Sequence, residues 1–510
     1  MEAPVTRRES WLVYLIGVLV VFVITRFGFV ACSESMHLRS DYDLNIYYLI
    51  GNGWMRGLLP YVDLSDLKGP LVFLLHGVCS LLTPGSFLGI CIVNALIAGV
   101  GLLFAYKTAR LFLPAAGSVG VLGVYLYFLL YFSANPAEQV WALQHVTLYM
   151  VMRWAAGRTQ TFTSGEQFFL GASVAAVLLL KFNLVAFWAP VCILALVLCG
   201  WRTLLWQVGG FLVVMLPFVG YFWWHNALQA LWNEYVGVAL AYGRPGWMES
   251  ALYTKNFALF RGMMPYHLYS RVPDWILAIP GCVPCLLWPF MWWKNQGGIR
   301  LESLVVLLAS FLLLAYASYS GKYDFLHYAF VFYPFCLLSL VYVGMVLQRW
   351  QRLFMLAGCG VAMVILLIAL ALPLYVRYGR SYNGNAQMRE MAMKLTEWCQ
   401  SVPGDEVFVL DAEKGLHLYR LSGRLPSICH FVPPIVNGGS ALHQEEQVEY
   451  IRTHKPMYLI GSEWGKKDDA DVIARSGVPY SVTTHQQLGY PPYPAHAKQP
   501  EIILYTRLDK

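Results

Sequence analysis

Charge is what this sequence has least of. Only 13% of its 510 residues are Asp, Glu, Lys or Arg, against about a quarter in an ordinary soluble protein. With 58% hydrophobic residues and a mean hydropathy of +0.52, a soluble globular enzyme is excluded. There is no internal repeat, no low-complexity tract and no Gly/Pro-broken pair of spans in matching places, a pattern that transporters usually show. A phosphate loop is lacking too: Gly438-Gly439 has neither the flanking strand nor the Lys. No persuasive cleavage site follows the first apolar run at 11–30, and Cys32 has no lipobox before it, so that run reads as an uncleaved span. The eleven cysteines fall mostly inside apolar runs, where Cys packs as a small apolar side chain. Cys282 and Cys285 have redox spacing but no His or basic neighbour, and read as packing. Cys399 and Cys429 lie in the polar C-terminal stretch, where a disulfide between them is left open.

What is present is a series of apolar runs: 11–30, 87–106, 118–132, 141–152, 168–180, 185–199, 204–224, 275–293, 304–317, 326–347 and 354–375. At about 20 residues per crossing, with flanking aromatics completing the shorter ones, these predict about eleven transmembrane helices. The basic residues supply an independent check. Arg7/Arg8, Lys107/Arg110, Arg153/Arg158, Arg202, Lys294/Arg300 and Arg349/Arg352 all fall on one face, which the positive-inside rule makes cytoplasmic. The N-terminus is therefore expected inside. The loop at 32–84, the loop at 225–274 and the tail are expected outside. Residues 1–376 form the expected transmembrane domain. Residues 377–510 turn ordinary in composition, with helical patterns at 387–400 and 441–453 and strands at 406–411, 457–460 and 502–506. That alternation predicts a small outer α/β domain.

The stretch 40–70 stands out because it is polar at the mouth of so much apolar material. It holds Asp41, Asp43, Asp63 and Asp66 with Arg56 and Lys68. Asp43 and Tyr47, four apart, share a helix face. Leu44, Tyr48, Met55 and Leu58 form a second stripe, and Asn45, Asn52 and Arg56 a third. The pattern predicts a short amphipathic helix in the membrane interface, ended by Gly57 and Pro60. Asp41 reads as its N-cap, with a catalytic role as the alternative. The run 71–82 is too short to span and reads as a second juxtamembrane helix.

Three strings here, Asp43-x-x-x-Tyr47, Gly57-x-x-Pro60-Tyr61-x-Asp63 and Asp66-x-Lys68-Gly69-Pro70-Leu71, resemble the first outer loop of the GT-C superfamily. Those are polytopic glycosyltransferases using polyprenyl-phosphate sugars. The protein O-mannosyltransferase and aminoarabinose transferase branch is nearest, and the string from Asp63 to Pro70 is quite specific for bacterial members. The resemblance implies a GT-C-like membrane α-helical bundle with a C-terminal extramembrane α/β domain. It also implies a bacterial inner (plasma) membrane location and inverting transfer of one sugar to a glycan, lipid or protein acceptor on the outer (periplasmic) face. Such a reaction needs a carboxylate to take the acceptor's proton and a cation to hold the leaving phosphate. By resemblance Asp43 is the base, with Asp41 the alternative, and Lys68 holds the donor phosphate. In this branch the position before the lysine is often His; here it is Leu67, so that position can carry no base or metal.

Other candidates are polar residues where they are costly. Lys181, near the outer end of a span beside Asn183, and His327 with Tyr328, near Lys322, Tyr323 and Asp324, are candidates for the donor phosphate. Tyr47, Asp63, Asp66 and Glu138 are candidates for orienting or acceptor roles, with Asn135 beside Glu138. Asp63 and Asp66 could also hold a divalent metal, though two carboxylates three apart are weak grounds, and no metal site is assigned. Arg244 and Arg261 read as solvated loop charges. A transporter or flippase of lipid-linked sugars is the main competing reading, and a membrane receptor or scaffold with an outer binding domain the second. Neither needs an acidic first loop. No nucleic-acid-binding feature is present.

Overall fold

The computed structural model describes residues 5–27, 42–126, 136–243, 287–293, 299–319, 330–349, 358, 360, 386–410, 412–433, 439–462, 466–483 and 502–508. Among these, six helical stretches are long and apolar enough to cross a membrane: Arg7–Arg26, Leu88–Arg110, Ser164–Cys199, Thr203–Trp224, Leu301–Ser318 and Phe330–Arg349. Two predicted spans, 275–293 and 354–375, lie for the most part outside the described residues, and Cys282 and Cys285 lie outside them. The chain divides into two compact units. One holds Met1–Val30, Cys91–Tyr221 and Gly243–Leu372, and the other Ala31–Ile90, Phe222–Tyr242 and Pro373–Lys510.

The first unit is helical. It contains α1 (Arg7–Phe27), α5 (Ala115–Tyr125), α6 (Pro136–Ala155), α7 (Ser164–Lys181) and α8 (Trp188–Cys199). It also holds most of α4 (Leu88–Arg110) and α9 (Thr203–Trp224), with α11 (Leu301–Tyr319) and α12 (Tyr333–Arg349). A capping box between Thr163 and Glu166 starts α7, satisfying two otherwise orphan backbone donors. The predicted break at 181–184 is instead a 3₁₀ segment, Phe182–Phe187, carrying α7 into α8. Asn183 spends its amide on the Ala317 carbonyl of α11, at 2.9 Å.

Helix α6 is the predicted span 141–152, yet it is not among the six apolar stretches. Its Glu138, Gln139, Gln144, His145 and Thr147 are all buried, so its hydrogen-bonding groups face protein. Tyr125 Oη meets His145 Nε2 at 2.8 Å and accepts from Trp141 Nε1 at 2.9 Å, while Trp188 Nε1 donates to Thr147 at 3.0 Å. Glu138 therefore sits on the first turn of a buried helix.

The second unit is built on α2 (Tyr42–Met55) and α3 (Pro70–Leu82). They cross at two glycines: a Cβ on Gly51 would come within 2.5 Å of the Gly77 nitrogen, and one on Gly77 within 2.5 Å of the Gly51 carbonyl oxygen. Helix α2 is not the amphipathic interface helix that its three stripes predict. Leu44 to Gly51 are buried on every side, because tertiary partners cover Asn45 of the polar stripe, while Asn52 is half-buried and Arg56 exposed. Asn45 is one of those covered residues; its Oδ1 accepts from Arg420 Nε at 2.8 Å.

The rest of this unit contains the helical segment α10 (228–243), whose centre, Leu231–Gly237, is a π-helix. That corrects the polar loop predicted from residue 225. Then come α13 (Ala386–Ser401), β1 (Val407–Val409), α14 (Ala412–Ser422) and α15 (Gly439–His454). They are followed by β2 (Tyr458–Ser462), α16 (Lys466–Ser476), β3 (Tyr480–Thr483) and β4 (Ile502–Arg507). The sheet order is β1-β2-β4-β3, with β1 parallel to β2 and the other pairs antiparallel. Three strands and two helices match the predicted ones, while α14, α16 and β3 are additional elements that the sequence reading does not include. Cys399 and Cys429 are free thiols.

Candidate functional site

The loop between α2 and α3 is a closed turn structure, and its sequence explains how. Gly57 takes φ +95°, a conformation L side chains rarely adopt. The Asp63 carboxylate accepts from Leu59 N at 2.6 Å, and Tyr61 N donates to the Leu64 carbonyl at 2.8 Å. Tyr61 itself sits at φ +70°. It is held there by burial, 2% exposed, against Phe73, Phe222 and Tyr235 with ring centroids 5.7, 5.7 and 6.4 Å away. Its hydroxyl donates to the Lys68 carbonyl at 2.6 Å. The Gly-x-x-Pro-Tyr-x-Asp string is thus a device for delivering the backbone of Lys68.

What the loop delivers is one wall of a cavity of about 480 Å³ including its open mouth, lined by Asp43, Ser65, Asp66, Lys68, Glu234 and His430. Leu67, Val238, Val432 and Pro433 supply its apolar surface. Asp43 sits on the first turn of α2 and accepts from Tyr47 Oη at 3.2 Å, the i,i+4 contact expected from sequence. Tyr47 is 1% exposed and packs edge-on to His76, centroids 5.5 Å apart. Lys68 Nζ lies 5.7 Å from the centre of the Tyr47 ring, within cation–π range. Among the described residues Lys68 makes no ion pair. Asp66 Oδ2 is shut from water and, among the described residues, has no hydrogen-bond partner. Burial lifts the Asp66 carboxyl above the usual carboxylate range; Lys68 opposes the lift and Asp43 adds to it.

The opposite wall was not anticipated. His430 Nδ1 meets Glu446 Oε1 at 2.6 Å and its Nε2 meets Glu234 Oε2 at 3.1 Å, while His430 N donates to Glu446 Oε2 at 2.8 Å. Neutral imidazole can donate from one nitrogen only, so two carboxylates on one ring hold it as imidazolium. Hydrogen bonds to Glu234 and Glu446 raise its pKa to about 9. Ser65 completes the join: its hydroxyl donates to Glu234 Oε2 at 2.9 Å and its N–H to the Cys429 carbonyl at 3.0 Å. Glu234, His430 and Glu446 are far apart in sequence and belong to no recognisable string. His76, with neither ring nitrogen bonded among the described residues, was also missed, since a single His in an apolar run reads as core.

The structure brings Asp43, Tyr47, Asp66 and Lys68 together. It separates Asp63, whose carboxylate is spent on the turn and is not in the cavity lining. Asp63 and Asp66 form no metal cluster: among the described residues no group of three His, Cys, Asp or Glu side chains has metal-ligating geometry. Lys181 ends α7, and Glu138 begins α6, in the other unit. Asp41, His327, Tyr328, Asn135, Lys322, Tyr323, Asp324, Arg244 and Arg261 lie outside the described residues.

No protein-family model and no curated protein matches this chain. Solved structures do. ArnT from Cupriavidus metallidurans bound to undecaprenyl phosphate superposes with a TM-score of 0.57 at 12% identity, over 98% of each chain. The apo state of ArnT from the same organism gives a TM-score of 0.54 at 12% identity, again over 98% of each chain. The chain therefore has the GT-C membrane fold, with strands gathered in its C-terminal part.

Proposed function

We propose that this chain is an integral membrane glycosyltransferase of the bacterial inner membrane. In this reading it transfers one sugar from a polyprenyl-phosphate donor to a hydroxyl of a glycan, lipid or protein on the outer face. The observation that supports it is one cavity holding both Asp43 and a lysine, Lys68, that makes no ion pair among the described residues. Lys68 would bind the donor phosphate and stabilise the charge growing on it as the C–O bond breaks. Asp43 would take the proton of the attacking hydroxyl, with inversion at the anomeric carbon. The fold likeness adds weight, since the similar ArnT structure is described as bound to undecaprenyl phosphate.

The test is release of polyprenyl phosphate by purified full-length protein from a mixed pool of polyprenyl-phosphate sugars. Asp43→Asn should lose at least about 100-fold in turnover, the lower end for removing a general base, while still binding donor. Lys68→Met should weaken donor binding. Full activity of Asp43→Asn would remove Asp43 from the role and make Asp41 the next candidate. Binding without turnover by every protein, wild type included, would favour transport or sensing.

A further inference from the structure

The carboxylate of Glu234 has no part in the reaction as drawn above, yet the fold positions it with care. It stands at the centre of a π-helical turn, Leu231–Gly237, a rare geometry that recurs at functional sites. One oxygen, Oε2, is fixed from two directions by the Ser65 hydroxyl at 2.9 Å and His430 Nε2 at 3.1 Å. The other, Oε1, has no protein partner among the described residues. Glu234 lines the same cavity as Lys68 and Asp66. Ser65, which holds Glu234, is three residues before Lys68 along one tight loop. A phosphate seated on Lys68 would share this cavity with Glu234, and so would the group bonded to that phosphate. In a polyprenyl-phosphate sugar that group is the sugar.

Resting on the reading of the site as a glycosyltransferase, we propose that Glu234 is a specificity residue. Its free Oε1 accepts hydrogen bonds from the hydroxyls of an uncharged donor sugar and repels an anionic one. Facing the cavity are three carboxylates, those of Asp43, Asp66 and Glu234, against Lys68 and the already paired His430. A negatively charged sugar would add a further anion to that wall. A neutral polyol instead supplies hydroxyl donors to Glu234 Oε1. His430 and Ser65 act as positioning residues, since they fix which oxygen faces the sugar.

The experiment is equilibrium binding by tryptophan fluorescence of the full-length protein in detergent, with three probes. These are bare undecaprenyl phosphate, undecaprenyl phosphate carrying glucose, and undecaprenyl phosphate carrying glucuronate. Wild type should bind the glucose probe at least about tenfold more tightly than the glucuronate probe, the scale of one charge-assisted hydrogen bond. Glu234→Gln should lose most of that ratio while binding bare undecaprenyl phosphate as wild type does. His430→Gln, which keeps the carboxylate but frees it, should lower the ratio partway. Equal wild-type affinity for the two sugars overturns the proposal without any variant. A Glu234→Gln loss of equal factor for all three probes also overturns it, because Glu234 would then only hold the fold. Failure of wild type to bind even bare undecaprenyl phosphate overturns the glycosyltransferase reading, and the proposal with it.

Discussion

His430 is the residue whose chemistry reaches furthest across its unit. Its pKa is raised from 6.5 to about 9, chiefly by its hydrogen bonds to Glu234 and Glu446. A group with a raised folded pKa contributes stability that is full below its unfolded value and vanishes as pH climbs through the folded one. The Glu234 carboxyl is held down by its bond to His430, and that of Glu446 is lowered despite burial by bonds from His430. Those two contributions exist above the ordinary carboxylate range and fade as pH falls through it. The clasp is thus complete between roughly pH 5 and 6.5 and fades toward pH 9. Thermal unfolding of wild type and His430→Gln should show the largest gap in Tm near pH 6 and a small one at pH 10. A gap independent of pH would mean that His430 stabilises by packing alone.

At the scale of elements, α2 is held by two unrelated devices. The first is the glycine crossing with α3. Gly51→Ala would drive a Cβ into the Gly77 backbone, which cannot swing aside like a side chain. Overpacking of this kind costs about 1–3 kcal/mol, and a fall in Tm would report it. Gly165→Ala, in α7 with nothing within 4 Å of the added carbon, should cost nothing.

The second device is Arg420 of α14, 1% exposed. It donates from Nε to Asn45 and from its NH1 nitrogen to the Gly85 carbonyl, and stacks 4.3 Å over the Phe87 ring. Burial pushes its pKa down to about 10. Arg420→Met would leave Asn45 and Gly85 without those donors, at a cost of about 2–4 kcal/mol. Arg420→Lys should not restore the loss, because one ammonium cannot reproduce a planar fork aimed in two directions. Limited proteolysis would detect both variants as earlier release of the C-terminal segment.

For the whole molecule, the prediction concerns orientation. The positive-inside rule, applied to Arg7, Arg8, Lys107 and Arg110, leads us to expect the C-terminus outside. An alkaline phosphatase fused after Lys510 should then be active, and a green fluorescent protein at the same point dark. The reverse pattern would invert the topology and put the Asp43 loop on the cytoplasmic side.

Much of this was legible along the chain because it depends on local patterns. Apolar runs near 20 residues placed α1, α4, α9 and α12. The spacing of Asp43 and Tyr47 put them on one helix face, where they hydrogen-bond, and Gly57 and Pro60 marked the end of that helix. What only the tertiary structure decided is how residues remote in sequence meet. Burial of α2 could not be read from its stripes, because Asn45 looks solvated until Arg420, from far down the chain, supplies its donor. The same holds for Glu234, His430 and Glu446. Each is unremarkable among its neighbours, and each becomes a site residue only when three segments converge to leave one imidazole between two carboxylates. Periodicity reports which face of an element avoids water, but it carries no information about which distant side chain covers that face.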